Sequence, residues 1–220
     1  MDGTAVLLSL RIAACTTALL LAGGLPLAYW LARTPWRGKH FVEALFALPL
    51  VLPPTVLGFY LLLALGPRGM LGQGWYAVMG RTLPFSFPGI LIGSLVFNLP
   101  FAVGPFSAAF ARIDRQWIEA SQTLGMSRLG TFRSLELPLA AVGVLTGCVL
   151  AFAHAVGEFG VVLMLGGNIP GRTRTLSIAL YDHVQALDYA AAGQEAAALV
   201  LFSFAVLACV YRLQRHLLPD

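Results

Sequence analysis

The sequence predicts an all-α integral membrane protein with five full transmembrane helices plus one short helix, re-entrant or on the outer face, which a looser assignment counts as a sixth span. Three observations lead there. Of 220 residues, 58% are hydrophobic and only 11% charged, against about 25% charged in a soluble domain. Mean hydropathy is +0.80. The apolar residues fall in runs long enough for a helix to cross hydrocarbon, about 20 residues, and do not alternate in the ten-residue segments of a barrel. In lipid only these two architectures satisfy the backbone internally.

Taken in order, the first run covers 5–32, interrupted by Arg11 and by Gly23, Gly24 and Pro26. As a helix it is about 42 Å long, so it tilts or protrudes. It is far longer than the 7–15 apolar residues of a secretory leader and has no basic stretch before it, so it is expected to stay in the protein. The second run, 41–65, carries Pro49, Pro53 and Pro54; the third, 87–110, carries Pro100 and Pro105. The fourth, 138–165, opens at Pro138, a residue suited to a first helical turn. The last occupies 194–213. Between the fourth and the last, 171–190 is too polar to face lipid and reads as the short helix. The Gly- and Pro-rich stretches 66–86 and 166–172 read as outer linkers. Together these elements make one transmembrane domain over 1–220, without repeats or low-complexity segments.

The net charge is +4. In a soluble protein that excess would point to nucleic acid, but here the cations cluster between apolar runs. Arg33, Arg37, Lys39, Arg112, Arg115, Arg128, Arg133, Arg212 and Arg215 fall on one side; Arg11, Arg68, Arg81, Arg172 and Arg174 fall on the other. The positive-inside rule then places the C-terminus and loops 33–40 and 111–137 in the cytoplasm, the N-terminus outside, and no nucleic-acid partner is needed. Arg11 is expected near the outer interface, reaching for headgroups, and Glu43 among the inner basic residues. Cys15, Cys148 and Cys209 lie inside apolar runs without metal-ligand spacing and read as small hydrophobes.

The 111–137 loop is the one sizeable polar stretch on the inner side. Asp114 suits a helix N-cap, Trp117, Ile118, Ala120 and Leu124 follow at amphipathic spacing, and Gly125 stands where a helix ends left-handed. A second short helix, 128–136, is expected to stop at Pro138, which makes a bent knob. Glu119, Ala120 and Ser121, then Gly125, then Leu135, Leu137 and Pro138 resemble the EAA loop of permeases of ABC importers, written E-A-A, three residues, G, nine residues, I-x-L-P. The departures are Ser121 for alanine and Leu135 for isoleucine. The resemblance implies the type I importer permease fold and a loop that docks on a cytoplasmic ATPase, with Leu124 inside the docking segment.

The likeness extends to permeases of molybdate importers through Leu48–Gly58, Gly157-Glu158-Phe159-Gly160 and Asn168–Thr175. Sulfate and thiosulfate permeases are similar relatives and remain an alternative, with tungstate the companion of molybdate. The resemblance implies a second copy of the chain, ATP-binding cassette subunits, a periplasmic or lipid-anchored oxyanion-binding protein, and a bacterial or archaeal inner membrane. ATP and magnesium would sit on the ATPase. This chain has no GxxxxGK[ST] phosphate loop, no acidic metal cluster and no catalytic residue of its own.

A tetrahedral dianion needs hydrogen-bond donors, which free N–H groups at helix breaks and hydroxyls supply. Pro53, Pro54, Thr55, Ser94, Asn98, Gly157 and Gly160 are therefore the candidates for the path. Glu158, an acid within an apolar run, is expected to face a cavity or the bundle interior. It would repel an anion, so a gate or an interhelical anchor fits better than a ligand. His154, one turn earlier, is expected on the same helical face as a structural hydrogen-bonding group. A membrane hydrolase would need a triad from Ser177, Asp182 and His183, which lack a nucleophile elbow. A passive channel would show similar polar residues but has no use for a docking loop.

Overall fold

The structure, a computed structural model, describes residues 2–217. Met1 and residues 218–220, the ends of the predicted domain, lie outside the described residues, as does the side chain of Arg215. Every regular element among the described residues is helical. Helix α1 runs Gly3–Arg33, α2 Lys39–Val51, α3 Pro54–Leu65, α4 Met70–Met79, α5 Phe87–Ala111, α6 Arg115–Thr123, α7 Arg128–Gly157, α8 Gly160–Gly166, α9 Leu176–Gln185 and α10 Tyr189–Leu217.

Four of these, α1, α5, α7 and α10, are long and apolar enough to cross a membrane, and the pair α2–α3 brings the number to five if counted as one span. The second run is therefore not the continuous helix expected. Its halves meet at 114°. Leu52 and Pro53 each precede a proline, whose ring excludes the helical region from the residue before it. Both are extended, at ψ 135° and 134°. Pro100 and Pro105, each followed by an ordinary residue, stay inside an unbroken α5.

The fourth run is also corrected. Pro138 does not stop the helix that starts at Arg128, and the span ends at Gly157, not at 165. A π turn over Phe132–Glu136 precedes the proline, with Leu137 N–H donating to the Phe132 carbonyl. This wider turn absorbs the ring within a continuous helix. At the other end Glu158 is extended (ψ 131°), and a separate short helix, α8, begins at Gly160. A second π turn, Leu20–Gly24, carries α1 through its paired glycines. The 66–86 linker contains α4. The last span begins five residues earlier than expected, where Asp188 accepts from Ala191 N–H at 3.1 Å.

Helix α5 is the central post, packed on α1, α2, α7 and α8; α3 packs on α8, and α10 on α7 and α9. Its side chains enter two apolar clusters. Ile90 and Phe97 join Ile12, Leu57, Val161 and Leu165 towards one end, while Ala102, Val103, Phe106 and Phe110 join Ala28, Leu31, Ala140 and Val144 towards the other. Asn98 falls between them, about 16 Å along α5 at 1.5 Å per residue.

Candidate functional site

Two polar residues one turn apart on α5, Ser94 and Asn98, are fully buried where the apolar clusters meet. Such groups need partners, and the break after Gly157 provides one. Glu158, 3% exposed, accepts at Oε2 from the Ser94 hydroxyl at 2.8 Å and from Asn98 Nδ2 at 3.1 Å. Asn98 Nδ2 also bonds the Ser94 carbonyl at 2.8 Å, and its Oδ1 lies 2.9 Å from His154 Nδ1. His154 stacks on Phe101, with centroids 3.9 Å apart.

The sequence placed His154 and Glu158 on one face of a helix. Because the helix ends at Gly157, they are joined instead through Asn98. Ser94 and Asn98, expected as donors to an anion, spend those donors on Glu158. The acid stands as the anchor between α5 and the α7–α8 break, while its Oε1 has no hydrogen-bond partner.

Beside this network a cavity of about 640 Å³ is lined by Pro54, Thr55, Gly157, Glu158 and Gly160, with Phe97, Phe101 and His154 as walls and Ser203 and Leu207 from α10. Two broken spans thus meet at one place. A Cβ on Gly160 would lie 2.7 Å from Pro54 Cβ, so only glycine lets the start of α8 sit against the start of α3. The first turns of helices present N–H groups without intrahelical acceptors and carry partial positive charge. At α3 the first such group is on Thr55, since Pro54 has no N–H and those of Val56 and Leu57 reach the Pro53 carbonyl. Pro53 caps α3 from just outside the cavity lining.

The 111–137 loop folds as an elbow. Asp114 accepts from Gln116 N–H at 3.0 Å at the start of α6. At its end Gly125 has φ 85°, its N–H meets the Gln122 carbonyl, and Met126 N–H meets the Ser121 carbonyl. These two bonds form a Schellman stop. Ser127 then opens α7 by accepting from Gly130 N–H. The hydroxyl of Ser121, one of the two departures from the EAA pattern, donates to the Ile118 carbonyl and lies 2.9 Å from the Thr131 hydroxyl. It ties the two arms of the elbow together. Glu119 and Ala120 are exposed, as are Trp117, Leu124 and Leu129, and Glu119 holds only an exposed pair with Arg115. Leu137 and Pro138 lie past the elbow, on α7.

Several groups elsewhere find partners the sequence did not announce. Arg11 lies over the Phe87 ring at 4.6 Å, Glu43 pairs with His40 at 3.1 Å, and Asn168 and Arg174 clasp Asp182 across the 166–175 loop. Ser177 donates to the Gly157 carbonyl while His183 faces Asp188 and Glu195, so Ser177, Asp182 and His183 form no triad. Most consequential is Glu136, 1% exposed, which accepts from Arg33 and Tyr29. The charge count treated Arg33 as one more cytoplasmic cation. A carboxylate at the edge of an apolar run was the available signal.

A family model described as the binding-protein-dependent transport system inner membrane component matches residues 24–220. The chain belongs to this family. Among curated relatives, the molybdenum transport system permease protein ModB of Azotobacter vinelandii is 49% identical over 214 residues, covering 97% of this chain and 95% of the relative. The protein of the same name from Escherichia coli K12 is 38% identical, covering 82% and 79%. Among solved structures, inward-facing MetNI methionine ABC transporter matches with TM-score 0.72 at 17% identity, over 97% of this chain and 94% of that one. The bacterial alginate ABC transporter in complex with an alginate pentasaccharide-bound periplasmic protein matches with TM-score 0.71 at 16% identity, over 96% and 78%. At such identities the likeness speaks for the fold, which this family member shares with chains of solved ABC transporters.

Proposed function

We propose that this family member is the membrane-spanning permease subunit of an ATP-driven importer of molybdate. The near full-length identity of 49% to a molybdenum transport permease carries the reading. In it, the fold is the type I importer permease with α2–α3 as one bent span, so that five spans put the N-terminus outside and the C-terminus inside. Two copies pair about a two-fold axis, because one copy is too small to enclose a sealed path. A cytoplasmic ATPase, holding ATP and magnesium, receives Glu119, Ala120, Ser121, Leu124 and Gly125 of each elbow, with Leu137 and Pro138 carrying the thrust into the span. The exposed apolar tip of Trp117, Leu124 and Leu129 supports this role.

The anion passes by the cavity where Pro54, Thr55, Gly157 and Gly160 bring two helix starts together. Pro53 sets the break, and Glu158, held by Ser94 and Asn98, acts as a gate anchor. Positive helix ends without a fixed cation hold a dianion weakly, which suits release. Selection of the anion then falls to an oxyanion-binding protein on the outer side. ATP shifts the balance between inward- and outward-open states, since the anion's own binding cannot drive accumulation.

The test is reconstitution with the ATPase and the binding protein, measuring ATP-dependent uptake of molybdate against sulfate. Preferential molybdate uptake is expected. Equal transport of sulfate would overturn the substrate, and uptake indifferent to ATP would overturn the pump.

A further inference from the structure

One ion pair, a buried acid with a half-buried cation, lies apart from both the cavity and the elbow tip. Glu136 closes the π turn Phe132–Glu136. Its Oε2 accepts from Nε and Nη2 of Arg33 at 3.0 and 2.7 Å, and its Oε1 accepts from the Tyr29 hydroxyl at 2.9 Å. Arg33 is the last residue of α1, and its Nη1 reaches the Ile113 carbonyl at 3.4 Å. Ile113 stands where the chain leaves α5 for the elbow, and Glu136 where the elbow has rejoined a span. One guanidinium therefore holds both ends of the elbow to the first span.

The surroundings make this hold stiff. Tyr29 sits edge-on to Phe110 and Phe132, with centroids 5.2 and 5.0 Å away, so α1, α5 and α7 share one aromatic block. Close-packed interiors transmit displacement where a loose contact would dissipate it. The π turn, a geometry that recurs at functional sites, belongs to the same block through Phe132 and Glu136. An always-charged, planar guanidinium converging on a carboxylate fixes direction as well as distance, which a lysine does not. Apolar side chains would hold the helices together without that directional lock.

Resting on the importer reading, we infer that Arg33 and Glu136 are positioning residues that deliver the elbow's movement to span one, linking ATP hydrolysis to reorientation of the bundle. Glu136→Gln keeps the acceptor for Tyr29 and removes the charge; Arg33→Lys keeps the charge but cannot hold Glu136 and the Ile113 carbonyl together. Each variant is reconstituted with the ATPase and binding protein, and ATP hydrolysed per molybdate imported is measured beside crosslinking of Leu124→Cys to the ATPase. The expected result is unchanged crosslinking with a rise of about two- to thirtyfold in ATP per molybdate, the range found for coupling residues. An unchanged ratio in both variants would overturn the inference. So would failure of both to insert, because the pair would then serve folding alone. Either result beside a working wild-type complex leaves the importer reading intact, whereas a wild-type complex that does not import molybdate rejects that reading and this inference with it.

Discussion

Single side chains here carry measurable weight because the surrounding medium offers them no water. Glu158 is the acceptor for two buried donors. Replacing it with alanine orphans the Ser94 hydroxyl and takes one acceptor from Asn98 Nδ2, and is expected to cost about 1–3 kcal/mol, read as earlier thermal unfolding of the detergent-solubilised protein, while Glu158→Gln retains an acceptor and most of the stability. Equal loss in both variants would show that charge, not acceptance, is what the site uses. Ser121→Ala restores the residue of the EAA pattern but strips Thr131 of its buried partner. The outcome expected is a loss of about 1 kcal/mol and faster proteolysis at the elbow. Arg33→Ala leaves Glu136 as a buried acid without its cation, a change that costs about 3–5 kcal/mol in protein interiors. The amount of folded protein after membrane extraction should fall accordingly.

At the scale of elements, apolar runs located the spans and the elbow, while the breaks inside them were less legible. Asp114 and Gly125 carry local chemistry that says where α6 starts and stops, and the structure has both caps. Pro53 and Pro54 could be read as a kink or as a full break, and only the packing of α3 on α8 sets the angle. Glu158 stands in an apolar run and does not itself forbid a helix; the extended backbone there follows from partners 60 and 64 residues away in sequence. Pairings of that reach leave no periodic trace, which is also why Ser94 and Asn98 read as free donors. The elbow provides the sharpest test at this scale. Gly125→Asp puts a charged side chain on a left-handed backbone at the tip. It should leave membrane insertion unchanged and abolish anion-stimulated ATP hydrolysis by the assembled complex; normal stimulation would remove the elbow from the drive train.

For the whole molecule, the informative contrast is between its helices. In the most apolar stretch of α5, 44% of residues are buried within the chain, but only 11% in that of α10. Val200, Leu201 and Phe204 of α10 are each about two-thirds exposed or more, so lipid or a second copy has to cover them. The cavity beside Glu158 is also bounded by α10, through Ser203 and Leu207. Pairing of two copies can be checked by mass photometry of the extracted protein, with a dimer expected. Sidedness can be checked by impermeant thiol labelling: Leu124→Cys should react only from the inside and Gly80→Cys only from the outside. The opposite pattern would invert the orientation drawn from the cations.

The π turn ahead of Pro138 has a last consequence, for how this chain tolerates change in length. A π turn behaves as an α-helix that has accepted one surplus residue, and each residue of α-helix advances the chain by about 100° around its axis. Deleting a single residue within 132–136 would therefore let the turn relax into ordinary helix with the segments on either side keeping their directions, whereas the same deletion in the plain α-helix beyond Pro138 would swing everything before it by roughly a quarter of a revolution. A chain shortened inside the turn would then fold, enter the bilayer, and keep its elbow tip in the original compass direction.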